Sequence, residues 1–151
     1  MRPTGKIFML TLLLCAPFII QAQNDVPKLV CPFEQGSGRE PKEAYSWEPR
    51  DEKVIMISHV DSIVRSSVNG TVSNVQMTED NQYEIVIYYK NYYFWYYGVA
   101  KALVKKGQNV GAGQPIGTYT QGTELEFRMY KNEEQLDPRS YLECKVPRAD
   151  D

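Results

Sequence analysis

Residues 123–130 alternate without a break, Leu125, Phe127 and Met129 against Glu124, Glu126 and Arg128. Successive side chains of a strand point to opposite faces, so this run predicts a strand with one apolar and one charged face. Other stretches carry the same signature. Val54-Ile55-Met56-Ile57 is a brief apolar run, suited to a buried strand. Residues 62–75 are β-branched and interrupted by Asn69-Gly70, a hairpin signal. Residues 83–89 and 92–97 read as two strands, entered after a turn at Glu79-Asp80-Asn81 and joined by a turn at Lys90-Asn91. No long 3.6-residue apolar repeat occurs, so the expected class is all-β, a sandwich or barrel of short antiparallel strands.

Residues 104–117 are too short and glycine-rich for a helix. Gly107 and Gly113 are expected at tight turns with positive φ. Val110 and Ile116 should face inward between them, and Gly117 should allow close backbone approach as the chain leaves the strand.

The first 22 residues read as an export signal. Arg2 and Lys6 precede an apolar run over residues 7–20, and Gln21-Ala22-Gln23 follows, with Ala22 the expected last residue of the signal. The run is short for a membrane span, which needs about 20 residues. An uncleaved anchor is the alternative, whereas Leu12-Leu13-Leu14 before Cys15 is too bulky for a lipobox. Removal of the signal takes away two basic residues and Cys15, moving the formal charge from −2 to −4. The expected location is periplasmic or extracellular, with no stable membrane span once the signal is cut. An acidic balance argues against nucleic acid, which needs a clustered basic excess. Cys31 and Cys144 remain, and an exported pair predicts one disulfide tying the two ends of the mature chain, with two free thiols as the alternative. Residues 23–52, broken by Pro27, Pro32, Pro41 and Pro49 and by a flexible Gly36-Ser37-Gly38, form an N-terminal arm that is either ordered against the domain or partly disordered. The β domain is expected over residues 53–144, with a tail at 145–151.

Four stretches resemble one family. Val64-Arg65-Ser66-Ser67-Val68-Asn69-Gly70-Thr71-Val72 resembles the "V-x-A-x-x-D-G-x-V" segment of the LytM/lysostaphin-type zinc peptidases, family M23. Residues 104–117 are similar to its "V-x-x-G-Q-x-V-x-x-G-Q-x-I-G". Glu124-Leu125-Glu126-Phe127 stands in the place of its "H-L-H-F", and Asp137-Pro138-Arg139-Ser140-Tyr141-Leu142 is similar to its closing "D-P-x-x-Y-L". The resemblance implies an M23-like duplicated hybrid, or barrel-sandwich, fold.

It also implies a zinc site that this chain does not carry in the expected form. A catalytic zinc takes nitrogen, sulfur or carboxylate ligands and keeps one position open for water. The family's "H-x-H" falls on Glu124 and Glu126, the histidine of "Y-x-H-L" falls on Val99, and the first-motif aspartate falls near Ile55 or Met56. The only histidine, His59, lies after that motif and matches no family ligand. No metal or other cofactor is therefore expected. Glu124 and Glu126, joined by His59 and Asp61, would be the ligands of a relocated metal site, but Arg128 beside them favours an exposed charged face.

Between Tyr83 and Tyr97, nine of fifteen residues are aromatic, a density that suits either a sheet or a contact surface for a peptide or sugar. Tyr89, Trp95, Tyr97, Arg128 and His59 are the candidate ligand contacts. The expected function is that of a secreted, catalytically inactive M23-like domain, which binds peptidoglycan or regulates a cell-envelope partner such as an amidase-like hydrolase. The alternatives are a metal-dependent cell-wall endopeptidase with a relocated site, and a lipoyl-like carrier domain. The carrier lacks its lysine context, since Lys105-Lys106 precedes the glycine turn.

Overall fold

A computed structural model describes residues 27–39 and 51–144. The expected export signal, the rest of the expected arm and the expected tail lie outside these residues. Eleven strands are described: β1 (Ser37–Arg39), β2 (Val54–Ile57), β3 (Ile63–Arg65), β4 (Gly70–Met77), β5 (Tyr83–Tyr89), β6 (Tyr92–Val99), β7 (Lys101–Ala102), β8 (Asn109–Val110), β9 (Pro115–Thr118), β10 (Leu125–Lys131) and β11 (Glu134–Leu136). They form a large antiparallel sheet in the order β1-β2-β10-β6-β5-β4-β8, with β11 paired to β10, and a small sheet in the order β3-β9-β7. The all-β expectation holds. No described helix is long and apolar enough to cross a membrane.

The alternation that defines β10 sets the layers. Leu125, Phe127 and Met129 are fully buried, and Ile85, Ile87, Phe94 and Tyr96 join them from β5 and β6. Val64 and Ile116 of the small sheet complete the same core. Burying one such apolar side chain contributes about 1.5–3 kcal/mol. Among the described residues, the one tyrosine hydroxyl fully enclosed by this core is paired: the Tyr96 hydroxyl accepts the Ser67 amide proton at 2.7 Å, and burial pushes its pKa up to about 12.

Two glycines make the junctions possible. Gly98, at φ +98°, lies where a Cβ would collide with the Glu124 carbonyl oxygen. It therefore lets the end of β6 pass against the start of β10. Gly117 sits against Val99, as close approach at that glycine requires. Gly107 and Gly113 both have positive φ, and Val110 and Ile116 are buried, as expected.

Two sequence expectations need correction. Asn69-Gly70 does not turn a hairpin: β3 pairs with β9 in the small sheet, whereas β4 pairs with β5 and β8 in the large one. The chain changes sheets there, and neither residue has the positive φ of a tight hairpin turn. Asn69 instead accepts the Ala112 amide through its side chain at 2.9 Å. Ser37 and Gly38, expected to be flexible, belong to β1, which covers the free edge of β2 through backbone pairing that needs no particular side chain.

The described arm is ordered. Leu29 and Phe33 enter the core, Leu29 bridges to Leu142, and Cys31 is bonded to Cys144, as predicted. Closing a loop of that length contributes about 4–5 kcal/mol in the chain-entropy account.

Candidate functional site

The core-facing residues of β5, β6 and β10 leave an opposite face, and cross-strand register arranges it in three rows. Glu126, Tyr97 and Glu84 lie side by side, then Arg128, Trp95 and Val86, then Tyr130, Tyr93 and Tyr88. A cavity of about 300 Å³ opens over the first two rows, lined by Glu84, Trp95, Tyr97, Glu126, Arg128 and Tyr130. A second cavity, of about 310 Å³, shares Trp95 and Tyr130 and adds Tyr93, Asn132 and Glu133. The shared walls make one groove. Trp95 and Tyr130 form a tilted aromatic pair with centroids 5.9 Å apart, and Tyr88 and Tyr93 form another at 5.0 Å.

One end of the groove is closed by charge. Glu126 takes Lys53 on Oε2 at 2.9 Å and the Arg128 Nε on Oε1 at 2.5 Å. Asp51 takes Lys53 at 3.2 Å and Arg128 at 3.4 Å. Gln135 donates to Asp51 at 3.0 Å. Two carboxylates and two cations thus neutralise one another. Burial pushes the Asp51 carboxyl up, but the Gln135 hydrogen bond and the Arg128 and Lys53 charges outweigh it, leaving it below its ordinary value. Burial pulls the Lys53 ammonium down, and the bonds to Glu126 and Asp51 reverse that and raise it.

The other end behaves differently. Glu84 is half-buried, and among the described residues nothing hydrogen-bonds or ion-pairs with its carboxylate. Burial alone raises its pKa. Tyr97 cannot serve it, because its hydroxyl donates to Asp80 at 3.1 Å.

Of the residues singled out in the sequence, Glu126, Arg128, Trp95 and Tyr97 meet in this groove. Tyr89 points to the other face and packs its partly buried ring on the core. Val99 is fully buried. Glu124 is exposed just before β10. His59 is exposed beside Gly122. Asp61 is committed to structure: it accepts the amides of Glu34 and Gln35 at 3.2 and 3.1 Å and the Ser58 hydroxyl at 2.6 Å. Sequence reasoning missed Asp51 and Lys53, which are remote from Glu126 in the chain, and Gln135 on the neighbouring β11. It also missed Glu84, although the alternation of Glu84 with Ile85 and Ile87 was a usable signal.

The donor set does not fit a zinc ion. Ile55 stands opposite Glu126 in the β2–β10 register, Met56 is buried, and both Glu126 oxygens are held by cations. Among the described residues, no three His, Cys, Asp or Glu side chains gather to hold a metal.

Comparison with known proteins places the fold. The chain is similar to Helicobacter pylori Csd3, with TM-score 0.65 and 21% identity, covering 79% of this chain and 34% of that one, so it spans about a third of Csd3. It is similar to a chain of the SpoIIQ–SpoIIIAH pore-forming complex, with TM-score 0.60 and 13% identity over 77% of this chain and 91% of that one. It also resembles the catalytic domain of the prophage-encoded M23 protein EnpA from Enterococcus faecalis, with TM-score 0.59 and 16% identity over 74% and 96% of the two chains. Comparison with the curated proteins finds no match. The family described as Peptidase family M23 matches residues 51–138, more than half of the chain, and the protein therefore belongs to that family.

Proposed function

We propose that this protein is an exported, catalytically silent M23 domain whose outer-face groove binds a cell-wall peptide or glycan, or the surface of an envelope protein that acts on one. The observation that carries this reading is the double engagement of Glu126. Lys53 holds one carboxylate oxygen and Arg128 the other, so a metal ion bound there would face two fixed positive charges, the reverse of what a catalytic zinc needs. The scaffold around it is intact, and the groove offers Trp95, Tyr97, Tyr93 and Tyr130, rigid amphipathic rings of the kind that form contact surfaces. The SpoIIQ–SpoIIIAH structure supports the protein-partner form of the reading, since there a chain of this fold sits in a complex with another protein.

The test is co-sedimentation of the mature protein with purified sacculi, paired with an assay for released cell-wall fragments and metal analysis of the same sample. The protein should pellet with sacculi or capture a cell-wall hydrolase, release nothing, and hold no stoichiometric metal. Cell-wall cleavage abolished by a chelator would refute the proposal.

A further inference from the structure

The two ends of the groove differ in what they leave unsatisfied. Asp51, Lys53, Glu126 and Arg128 sum to zero charge and use their polar atoms on one another. Glu84 is therefore the one charge lining the cavity that this network does not cancel. Its cross-strand neighbours are Tyr97 on β6 and Gln76 on β4, neither of them cationic. A half-buried carboxylate without a partner is costly, and a ligand that supplies one removes the cost. Trp95 and Tyr97 stand beside it in the same cavity, and aromatic faces attract cations. A carboxylate flanked by a Trp and a Tyr, in a space of about 300 Å³, is complementary to an alkylammonium group and poorly suited to an anion.

We infer that this cavity is a subsite for a primary ammonium carried on a peptide, with Glu84 as its counter-charge and Trp95 and Tyr97 as its walls. The inference rests on the reading of the groove as a binding site and adds the chemistry that the groove selects. Raised by its burial, the Glu84 carboxyl gains a partner only when the ammonium arrives. The neutral network at the other end sets the limit of the subsite and contributes no net attraction.

The experiment uses the full mature chain and two probe pairs. The first pair is Ala-Lys-Ala and its Nε-acetylated form, both with blocked ends, followed by amide chemical shifts of β5 and β6. The second is native sacculi and sacculi whose amines have been acetylated, followed by co-sedimentation. The wild type should bind the free amine about tenfold more tightly than the acetylated peptide, as loss of one charge-assisted contact predicts. Glu84→Gln should abolish that preference, and Glu79→Gln, which alters an exposed acid outside the cavity, should keep it. A preference seen with both probe pairs assigns the ammonium to the cell wall; one seen with the peptide alone assigns it to a protein. Equal binding of free and acetylated probes, or a Glu84→Gln variant that still discriminates, overturns the ammonium subsite while leaving the groove as a binding site. No binding of any probe overturns the subsite, and absence of any sacculus or hydrolase partner overturns the wider reading as well.

Discussion

Glu126 and Glu84 stand on either side of Tyr97 in one cross-strand row, yet they occupy opposite electrostatic situations. Glu126 is held at both oxygens by Lys53 and Arg128, which also hold Asp51. Glu84 is held by nothing among the described residues. The contrast teaches how a fold shared with peptidases can be built around a different arrangement of charge. Where the family resemblance places a zinc ligand, this chain builds an internal ion-pair lattice, and the chemically available end of the groove moves two strands away, to β5. Substitutions at the held end should therefore be felt in stability, and those at the open end in binding.

The largest effect expected is on binding. Trp95→Ala removes the ring shared by both cavities, and loss of a central aromatic anchor typically costs about 2 kcal/mol or more of affinity. Its ring lies outside the core, so the denaturant midpoint should move little. Sedimentation with sacculi and urea unfolding of the same variant separate the two; a variant that loses stability and keeps its affinity would erase the contrast between the ends.

Next is Arg128→Ala. It leaves Asp51 and Glu126 facing each other with Lys53 alone between them, at sites only partly open to water. Stranding a partly buried charge costs about 1–3 kcal/mol. An Arg128→Met/Glu126→Leu double variant removes both partners together and should recover part of that loss in urea unfolding, because an apolar pair of similar volume needs no counter-charge.

These expectations come from features that were unevenly legible in the sequence. The strand carrying Glu126 and Arg128 was plain, because a single strand's alternation is a local property and Leu125, Phe127 and Met129 declare the inner face. The turns at Gly107 and Gly113 were equally local. The lattice was not legible: Asp51 fell among residues assigned to the arm, and it meets Arg128 across 77 positions of chain. Asn69-Gly70 misled because a turn signal says that the chain turns, and not which strand it pairs with afterwards. Tyr89 was counted among the ligand contacts on the density of aromatic residues around it, whereas strand parity places it with Ile85 and Ile87 on the core face.

Acid should distinguish the two ends by sign. The Asp51 carboxyl lies below its ordinary 3.8. Its contribution is present above that value and is lost as pH falls through the folded pKa. The Glu84 carboxyl lies above its ordinary 4.5, so the folded state holds its proton more tightly than the unfolded chain does. That acid favours folding when protonated, and the advantage disappears as pH rises from 4.5 through the folded value. Unfolding free energies between pH 3 and 7 should show Asp51→Asn flattening the acid limb below about pH 4. A slope that does not change in that variant would mean that the lattice contributes no pH-dependent stability.

The smallest effect is also the sharpest on the open end. Glu84→Gln keeps the shape of the side chain and removes a charge that the protein itself does not satisfy. The variant should be as stable as the wild type or slightly more so at pH 7, by less than about 1 kcal/mol, since the group is only half-buried. It should also lose the decline in stability expected of the wild type as pH rises above 4.5. If Glu84→Gln instead destabilises the protein by as much as Arg128→Ala does, then Glu84 has a stabilising partner. The two carboxylates beside Tyr97 would then be equivalent.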